Sequence, residues 1–220
     1  MSTSGVEGRT VLIAGATSTS GRTVARALLD AGARVVVVGS DEGRLSRLEA
    51  EVPGVVAERA DLTDGDEVLE LAMRVHARVG DIDGVVHLVG GWRGGGGIAG
   101  QTEEDYRVLE RSFTALRYVS RAFWDDLVAS PAGRIAIVSS TTVASPTAGS
   151  ANYTSVKAAS ESWMQSLAHG FAKSESPAAA VTLRVTSLAG LEDRLAASVV
   201  DLWRADASGL NGSVTELTPA

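Results

Sequence analysis

Hydrophobic and polar residues follow two alternating patterns along this chain. Short runs rich in valine and isoleucine, several of them apolar at every position, alternate with longer segments whose apolar residues recur every three or four positions. Continuous apolar runs are typical of strands buried on both faces of a parallel sheet, and the longer spacing is typical of amphipathic helices. The predicted strands are 10–15, 34–39, 54–61, 84–89, 134–140, 179–187 and 212–217. The predicted helices are 22–33, 42–52, 65–80, 103–128, 150–172 and 192–204.

The alternation of strand and helix predicts right-handed βαβ units. We therefore expect an α/β fold: a single doubly wound, Rossmann-type domain over 1–220, with a central parallel sheet of about seven strands flanked by helices. No composition change indicates a domain boundary. The one low-complexity stretch, GGWRGGGG at 90–97, predicts a mobile loop because glycine lacks the side chain that restricts the backbone.

Composition narrows the possible functions. A net charge of −7 argues against a nucleic-acid surface, and the absence of cysteine excludes disulfides, thiol catalysis and Cys-ligated zinc. The first ten residues, MSTSGVEGRT, lack the regions of a signal peptide, and no apolar run is long enough to span a bilayer. We expect a cytoplasmic protein without membrane partners. The three histidines have no metal-ligand spacing, so no metal site is predicted.

The first predicted strand runs into the sequence IAGATSTSG at the start of a helix. Unpaired N–H groups and the positive end of the helix dipole bind anions at such a position. Gly15 permits a tight turn, and Gly21 permits a ligand to approach the backbone closely at the start of the helix. The same residues suit an ordinary helix cap, but in this fold the pattern favours dinucleotide binding. Four intervening residues offer hydroxyls for a phosphate: Thr17, Ser18, Thr19 and Ser20.

Two strand ends bear on which dinucleotide binds. The second strand ends in VVGSDEGR, so Ser40 and Asp41 stand where an acid would bind ribose hydroxyls or a cation would bind a 2′-phosphate. Asp41 either reaches the ribose or caps a helix. Asp61, followed by Leu62, either accepts from the adenine amino group or caps the next turn. The cofactor is predicted to be NAD or NADP, with NAD slightly favoured because Asp41 would repel a 2′-phosphate.

Tyr153 and Lys157 lie four residues apart and share one face of a predicted helix. A nearby ammonium favours the phenolate, so we expect Lys157 to lower the pKa of the Tyr153 phenol. Such a phenol can exchange a proton with a carbonyl or an alcohol. The same spacing also arises by chance on many exposed helices.

Five motifs occur together and in order: AGATSTSG, ADL, VVHLVGG, IVSS and YTSVK. In this respect the chain resembles the short-chain dehydrogenase/reductase family over 10–217. The resemblance implies that Tyr153 is the acid/base, that Lys157 tunes it and holds the nicotinamide ribose, and that Ser140 orients the substrate oxygen. It also implies dinucleotide contacts at Val89, Gly90 and Gly190.

The chain departs from the family pattern at several positions. Thr19 stands in place of the middle glycine, and Ala189 replaces the proline before the glycine after the sixth strand. His87 begins the segment that is normally NNAG, where it either packs in the core or touches adenosine or the following loop. Ser112 replaces the asparagine of the proton relay, where a serine can hold a water. Members of the family usually insert a helical substrate lid after that glycine. Here the sequence GLEDRLAASVVDLW leads almost directly into the next predicted helix, so the lid is predicted to be reduced or absent.

Some of these features resemble the dihydropteridine reductases within the family. They are the GGW loop, the missing relay asparagine, the short lid and an ending close to ELTPA. In this comparison Trp92 stacks on a planar substrate or on nicotinamide. Alternatively, Trp92 anchors its loop on the body of the protein.

The leading interpretation is an NAD(P)-dependent oxidoreductase that moves hydride between nicotinamide and a small-molecule substrate, either a carbonyl/alcohol or a planar conjugated compound. The alternative is a non-catalytic dinucleotide- or partner-binding protein on the same fold. The altered glycine motif favours the alternative, whereas intact Ser140, Tyr153 and Lys157 oppose it. The helix at 150–172 is apolar beyond one stripe. With the helix at 103–128 it is predicted to form a homodimer or homotetramer, as the resemblance implies.

Overall fold

The computed structural model describes residues 5–218. The predicted domain 1–220 is therefore seen without its first four and last two residues, and parts of MSTSGVEGRT and ELTPA lie outside the described residues. The strands are β1 Thr10–Ala14, β2 Arg34–Gly39, β3 Val56–Arg59, β4 Gly84–His87, β5 Arg134–Ser140, β6 Ala179–Val185 and β7 Val214–Glu216. The helices are α1 Thr19–Asp30, α2 Glu42–Glu51, α3 Gly65–Val79, α4 Glu103–Ala122, α5 Trp124–Ala129, α6 Ala151–Lys173, α7 Glu192–Asp201 and α8 Ala207–Leu210.

The strands form one parallel sheet in the order β3-β2-β1-β4-β5-β6-β7. The chain builds outward from β1 to β3 and then resumes at β4 on the other side of β1. The strand order therefore reverses between β1 and β4, where Ala14 pairs with His87. In such sheets ligands bind at the carboxyl ends of the strands at this point. The predicted fold class is confirmed.

The core has two halves, one on each face of the sheet. Along β1, Val11 and Ile13 belong to the half beneath α1 and α7, while Leu12 and Ala14 belong to the half beneath α3, α4 and α6. Each buried Val, Leu or Ile side chain stabilises the fold by about 1.5–3 kcal/mol relative to exposure. Burial on both faces explains why these strands are apolar at every position.

The predicted helix at 103–128 is wrong in one respect, because the structure divides it into α4 and α5. Phe123 separates them, with φ −110° and ψ 17°, and its ring is fully buried. At the amino end of α1, Ser18 Oγ accepts from the N–H of Gly21 at 3.1 Å. This cap places the start of α1 at Thr19, three residues before the predicted start.

The connection from β6 to α7 contains only residues 186–191. The predicted reduction of the lid is therefore confirmed. Within residues 5–218, no helix combines the length and the apolar character that crossing a membrane requires.

Candidate active site

A cleft of about 370 Å³ opens at the carboxyl ends of the central strands. It brings together three residues that the sequence singles out for chemistry, Ser140, Tyr153 and Lys157. Other predicted residues in its wall are Ser18, Ser20, Val89, Gly90 and Trp92. Sequence reasoning missed several further wall residues: Leu88, Gly91, Val138, Thr142, Val185, Thr186, Ser187 and Leu188.

Ser140 ends β5, and the residues after it orient its hydroxyl. Ser140 Oγ accepts from the N–H of Thr142 at 3.2 Å and from Thr142 Oγ1 at 3.0 Å. Thr154 Oγ1 in turn donates to Thr142 Oγ1 at 3.0 Å. Because these bonds use the lone pairs of the Ser140 oxygen, its own proton remains to be donated into the cleft.

Burial raises the pKa of the Tyr153 phenol above its ordinary value of 10.0, and a hydrogen bond with the Ser140 side chain opposes that rise. The ammonium of Lys157 lies 5.7 Å from the centre of the Tyr153 ring and donates instead to the carbonyl of Val138 at 2.8 Å. The predicted lowering of the Tyr153 pKa by Lys157 is therefore wrong for this structure. At neutral pH the phenol is a protonated donor.

Lys157 and His87 are both shifted toward their neutral forms. Burial lowers the pKa of Lys157 to about 8, against a rise caused by the carboxylate of Glu161. Burial, and then the charge of Lys157, lower the pKa of His87 to about 3. His87 Nε2 lies 3.0 Å from the carbonyl of Ser112, so Nε2 carries the proton of the neutral ring. Its Nδ1 is buried without a hydrogen-bond partner among the described residues.

The turn between β1 and α1 requires both of its predicted glycines. Gly15 has φ +79°, and a Cβ there would lie 2.8 Å from the backbone nitrogen of Val89. A Cβ on Gly21 would overlap the carbonyl of Ala16. The first contact lets β1 and β4 end side by side. The second lets the helix start fold back against the turn, leaving an N-terminus at the edge of the cleft.

The other side chains of this turn do not all face the cleft. Thr19 is exposed and is not in the cleft wall. Arg22 donates to the carbonyl of Thr17 at 2.9 Å and pairs with Glu51 at 3.3 Å. Its charge is therefore already partnered.

A smaller cavity of about 210 Å³ adjoins the turn on the β2 and β3 side. Among the predicted cofactor residues it contains Gly15, Thr17, Ser40, Asp61, Leu62 and Val89. Asp41 lies outside its wall and caps α2 by accepting from the N–H of Arg44 at 2.7 Å. Of the two alternatives for Asp41, the cap is the one realised.

Asp61 is likewise engaged by the protein. Its carboxylate accepts from Thr63 through both the N–H and the hydroxyl, at 2.9 and 2.7 Å, and pairs with Arg111 at 3.1 Å. These bonds, those of Thr63 most strongly, lower the pKa of Asp61. The turn-capping alternative is again realised, and Arg111 is a wall residue that the sequence did not reveal.

Two further predicted residues stand apart from the main cleft. Ser112 Oγ donates to the carbonyl of Leu109 within α4, at 2.7 Å, so it turns back onto its own helix. Gly190 lies beyond the described wall, with φ +84°, and its N–H donates to Glu192 at 2.8 Å.

The glycine-rich loop is held by the side chain of Gln101 and by a backbone hydrogen bond from the N–H of Gly95 to the carbonyl of Gly149 at 2.7 Å. Gln101 Nε2 lies 3.0–3.2 Å from the carbonyls of Gly95, Gly97 and Gly149, and Gln101 Oε1 accepts from the N–H of Asn152 at 3.0 Å. The predicted mobile loop is thus bonded to the start of α6, next to Tyr153. Trp92, on the same loop, is 62% exposed and borders both the main cleft and a neighbouring cavity of about 330 Å³.

One group of possible metal ligands lies within residues 5–218: His76, Asp81 and Asp126. No metal-ligand spacing in the sequence indicated it, because the three residues meet only in the fold. His76 Nε2 lies 2.8 Å from Asp126 Oδ2, and the same oxygen accepts from the N–H of Ile82 at 3.1 Å. These bonds join α3, the following turn and α5.

Comparisons with known proteins agree on one family. Residues 9–194 match the profile of the short chain dehydrogenases. A Streptomyces protein named provisionally as a daunorubicin C-13 ketoreductase is 45% identical over 92 residues, or 40% of this chain. The 2,3-dihydro-2,3-dihydroxybenzoate dehydrogenase of Bacillus subtilis is 30% identical over 163 residues, or 72% of this chain. The matched segments span 32% and 62% of those relatives, so the chain spans less than two thirds of either.

Among solved structures, the crystal structure of a metagenomic short-chain oxidoreductase in complex with NADP is similar over nearly the whole length. Its TM-score is 0.84 at 25% sequence identity, with 98% of this chain and 99% of that chain covered.

Proposed function

The chain belongs to the short chain dehydrogenase family, and we propose that it is an oxidoreductase that moves hydride between a nicotinamide dinucleotide and a carbonyl or alcohol substrate. One observation carries this proposal. The hydroxyl of Ser140, the phenol of Tyr153 and the ammonium of Lys157 converge in a single cleft whose far edge is the glycine turn after β1.

The residues around that turn fit a dinucleotide. Gly15 and Gly21 keep the backbone of the turn free of side chains. Ser18 and Ser20 bring hydroxyls to the cleft at a helix N-terminus, where phosphates bind well. The smaller cavity beside Ser40 would hold the adenosine, and the main cleft the nicotinamide end. When bound, the nicotinamide supplies or accepts the hydride.

Two hydroxyls act on the substrate oxygen in this proposal. Ser140 donates a hydrogen bond that holds a carbonyl oxygen beside Tyr153, and Tyr153 transfers its phenolic proton to that oxygen as the carbonyl is reduced. Burial keeps the phenol protonated beforehand. The ammonium of Lys157, 5.7 Å from the ring centre, stabilises the phenolate left behind. Alcohol oxidation runs these proton transfers in reverse.

Charges near the adenosine cavity favour NADH over NADPH. Arg22 is paired with Glu51 and Arg111 with Asp61, so each of these cations already has a carboxylate partner. Asp41 follows Ser40 directly in the chain and adds a negative charge next to this wall residue of the cavity. We expect a 2′-phosphate to be disfavoured unless one of those arginines changes partner.

The substrate side of the cleft suits a planar molecule. With six residues between β6 and α7, no helical lid intervenes there, and exposed Trp92 borders the opening. An indole offers a flat apolar face on which a conjugated ring stacks. The names of the two relatives reported above, a daunorubicin C-13 ketoreductase and a 2,3-dihydro-2,3-dihydroxybenzoate dehydrogenase, are compatible with a ketone or ring alcohol.

The test is oxidation of NADH and of NADPH, followed by absorbance, against a panel of ketones, quinones and pterins. Nucleotide binding is measured beside it by fluorescence titration. We expect turnover with at least one substrate class and tighter binding of NADH. Tight dinucleotide binding with no turnover across the panel would favour the non-catalytic alternative.

A further inference from the structure

Glu161 is a buried carboxylate one helical turn beyond Lys157 on α6, with only 8% of the residue exposed. Buried acids need a partner, and Glu161 has two. The guanidinium of Arg184 on β6 donates two hydrogen bonds to it, from Nε at 2.9 Å and from Nη2 at 2.6 Å. The hydroxyl of Ser139 on β5 donates a third, at 2.6 Å. Nothing in the catalytic roles proposed above uses this charge.

The same stretch of β5 holds both Glu161 and Lys157. The carbonyl of Val138 accepts from the Lys157 ammonium at 2.8 Å, and the next residue, Ser139, donates to Glu161. Ser139 and Arg184 are also directly paired in the β5–β6 register. The sheet therefore fixes the lysine and the acid side by side.

The titratable groups around Lys157 come from several elements. Its own helix contributes the phenol of Tyr153, which is neutral, and the carboxylate of Glu161. Strand β4 contributes His87, which is neutral at working pH. From β6, Arg184 faces Glu161 and is also attracted by Glu216 of β7. Among these groups Glu161 is the one that favours the charged lysine.

Stability gives little reason for such a pair. Replacing a buried ion pair by apolar residues of similar volume is often neutral or stabilising. Its position beside the lysine suggests a functional reason instead.

We propose that Glu161, held by Arg184 and Ser139, is a positioning residue that keeps Lys157 charged and fixed against β5 for work beside Tyr153. This inference rests on the proposed function for its purpose. Its physical content, the charge state of Lys157, can be measured without any turnover.

The direct test is ¹³C NMR of protein labelled at lysine Cε. The chain has two lysines, so the variant Lys173→Arg assigns the Lys157 signal. In Glu161→Gln we expect the titration midpoint of Lys157 to fall by about one pH unit or more, as expected when an opposite charge nearby is removed. A midpoint within a few tenths of the wild-type value would overturn the proposal.

Two further variants guard against a purely structural effect. Ser139→Ala removes a hydrogen bond to Glu161 but leaves every charge in place, so the midpoint should stay near that of wild type. If Glu161→Gln fails to fold, the double variant Glu161→Met/Arg184→Met replaces the whole pair by apolar residues and should also lower the midpoint. A lowered midpoint in Ser139→Ala equal to that of Glu161→Gln would contradict the proposal.

Kinetics supply a second readout if the wild type turns over. In Glu161→Gln the basic limb of kcat/KM against pH should move to lower pH by the same amount as the NMR midpoint. A shifted midpoint with an unmoved basic limb would overturn the link to catalysis. An inactive wild type with a shifted midpoint would instead contradict the proposed function alone.

Discussion

The ammonium of Lys157 donates a hydrogen bond to the carbonyl of Val138 at 2.8 Å. This bond runs from α6 to β5, so the sheet itself sets the position of the lysine. The phenol of Tyr153 is held protonated by burial, with the lysine charge near its ring. The phenol is therefore a proton donor before the reaction, and the ammonium gains importance as negative charge develops on the oxygen.

The first prediction concerns pH. Because the pKa of Tyr153 is raised, the proton donor persists through the neutral range, whereas Lys157 loses its charge as the pH rises through about 8. We expect kcat/KM for the reduced nucleotide to fall above about pH 8 and to show no limb from His87, whose pKa is about 3. A profile flat to pH 10 would contradict the assignment of Lys157.

The same shift affects stability with a definite sign. Lys157 has a pKa of about 8 when folded and an ordinary value of 10.5, so between these values the unfolded chain binds more protons. Stability contributed by this group therefore rises with pH through that window and is lowest below it. Relative to Lys157→Met, the wild type should gain free energy of unfolding from pH 8 to 10, measured by urea unfolding. A constant difference would contradict the shift.

The second prediction concerns the turn after β1. In Gly21→Ala the new Cβ meets the carbonyl of Ala16, so the turn must move. We expect a loss of about 1–3 kcal/mol of stability, typical of overpacking, together with weaker dinucleotide binding. The matched control is Gly43→Ala at the start of α2, where the Cβ would meet only Asp41 at 3.5 Å. The control should be as stable as wild type or up to about 1 kcal/mol more stable.

The third prediction concerns the loop that carries Trp92. Gln101→Ala removes its side-chain bonds to the glycine loop and to the N–H of Asn152. We expect faster tryptic cleavage after Arg93 and a KM for substrate raised several-fold, with kcat changed less. Cleavage and KM both equal to those of wild type would show that Gln101 does not restrain the loop.

The fourth prediction is a homodimer or homotetramer built on α4 and α6. On these helices Phe113 and Trp163 are only partly buried, and the guanidinium of Arg117 lies 5.8 Å from the centre of each ring. Two-fold symmetry would let each subunit cover the same aromatic patch. Light scattering at micromolar concentration measures the mass, and a value near the 22.7 kDa of one chain would contradict this expectation.

The parts of the fold that the sequence predicts correctly are those that depend on local pattern. A strand that is apolar at every position, such as β2, indicates burial on both faces of the sheet. Short spacings in the sequence indicate that Gly15 acts with Gly21 and Tyr153 with Lys157. The break at Phe123 has no such signal, because phenylalanine does not by itself end a helix and its full burial is visible only in the folded chain.

Contacts between distant segments escaped prediction for a physical reason. Gln101 and Asn152 are 51 residues apart, and Arg111 and Asp61 are 50 apart, so only the folded chain brings them together. The direction of the Tyr153 pKa shift also depends on burial outweighing the hydrogen bond with the Ser140 side chain. Neither burial nor the bond from Lys157 to β5 can be read from a spacing of four.

The central claim, that Tyr153 donates the proton, is tested most directly by Tyr153→Phe in single-turnover oxidation of the bound reduced nucleotide. The ring is kept and only the hydroxyl is lost, so we predict that the rate falls by about 10²-fold or more, with nucleotide affinity nearly unchanged. Tyr118→Phe, on α4 beside Gly65 and outside the cleft, is the matched control and should keep the wild-type rate. A Tyr153→Phe rate equal to that of Tyr118→Phe would contradict the account.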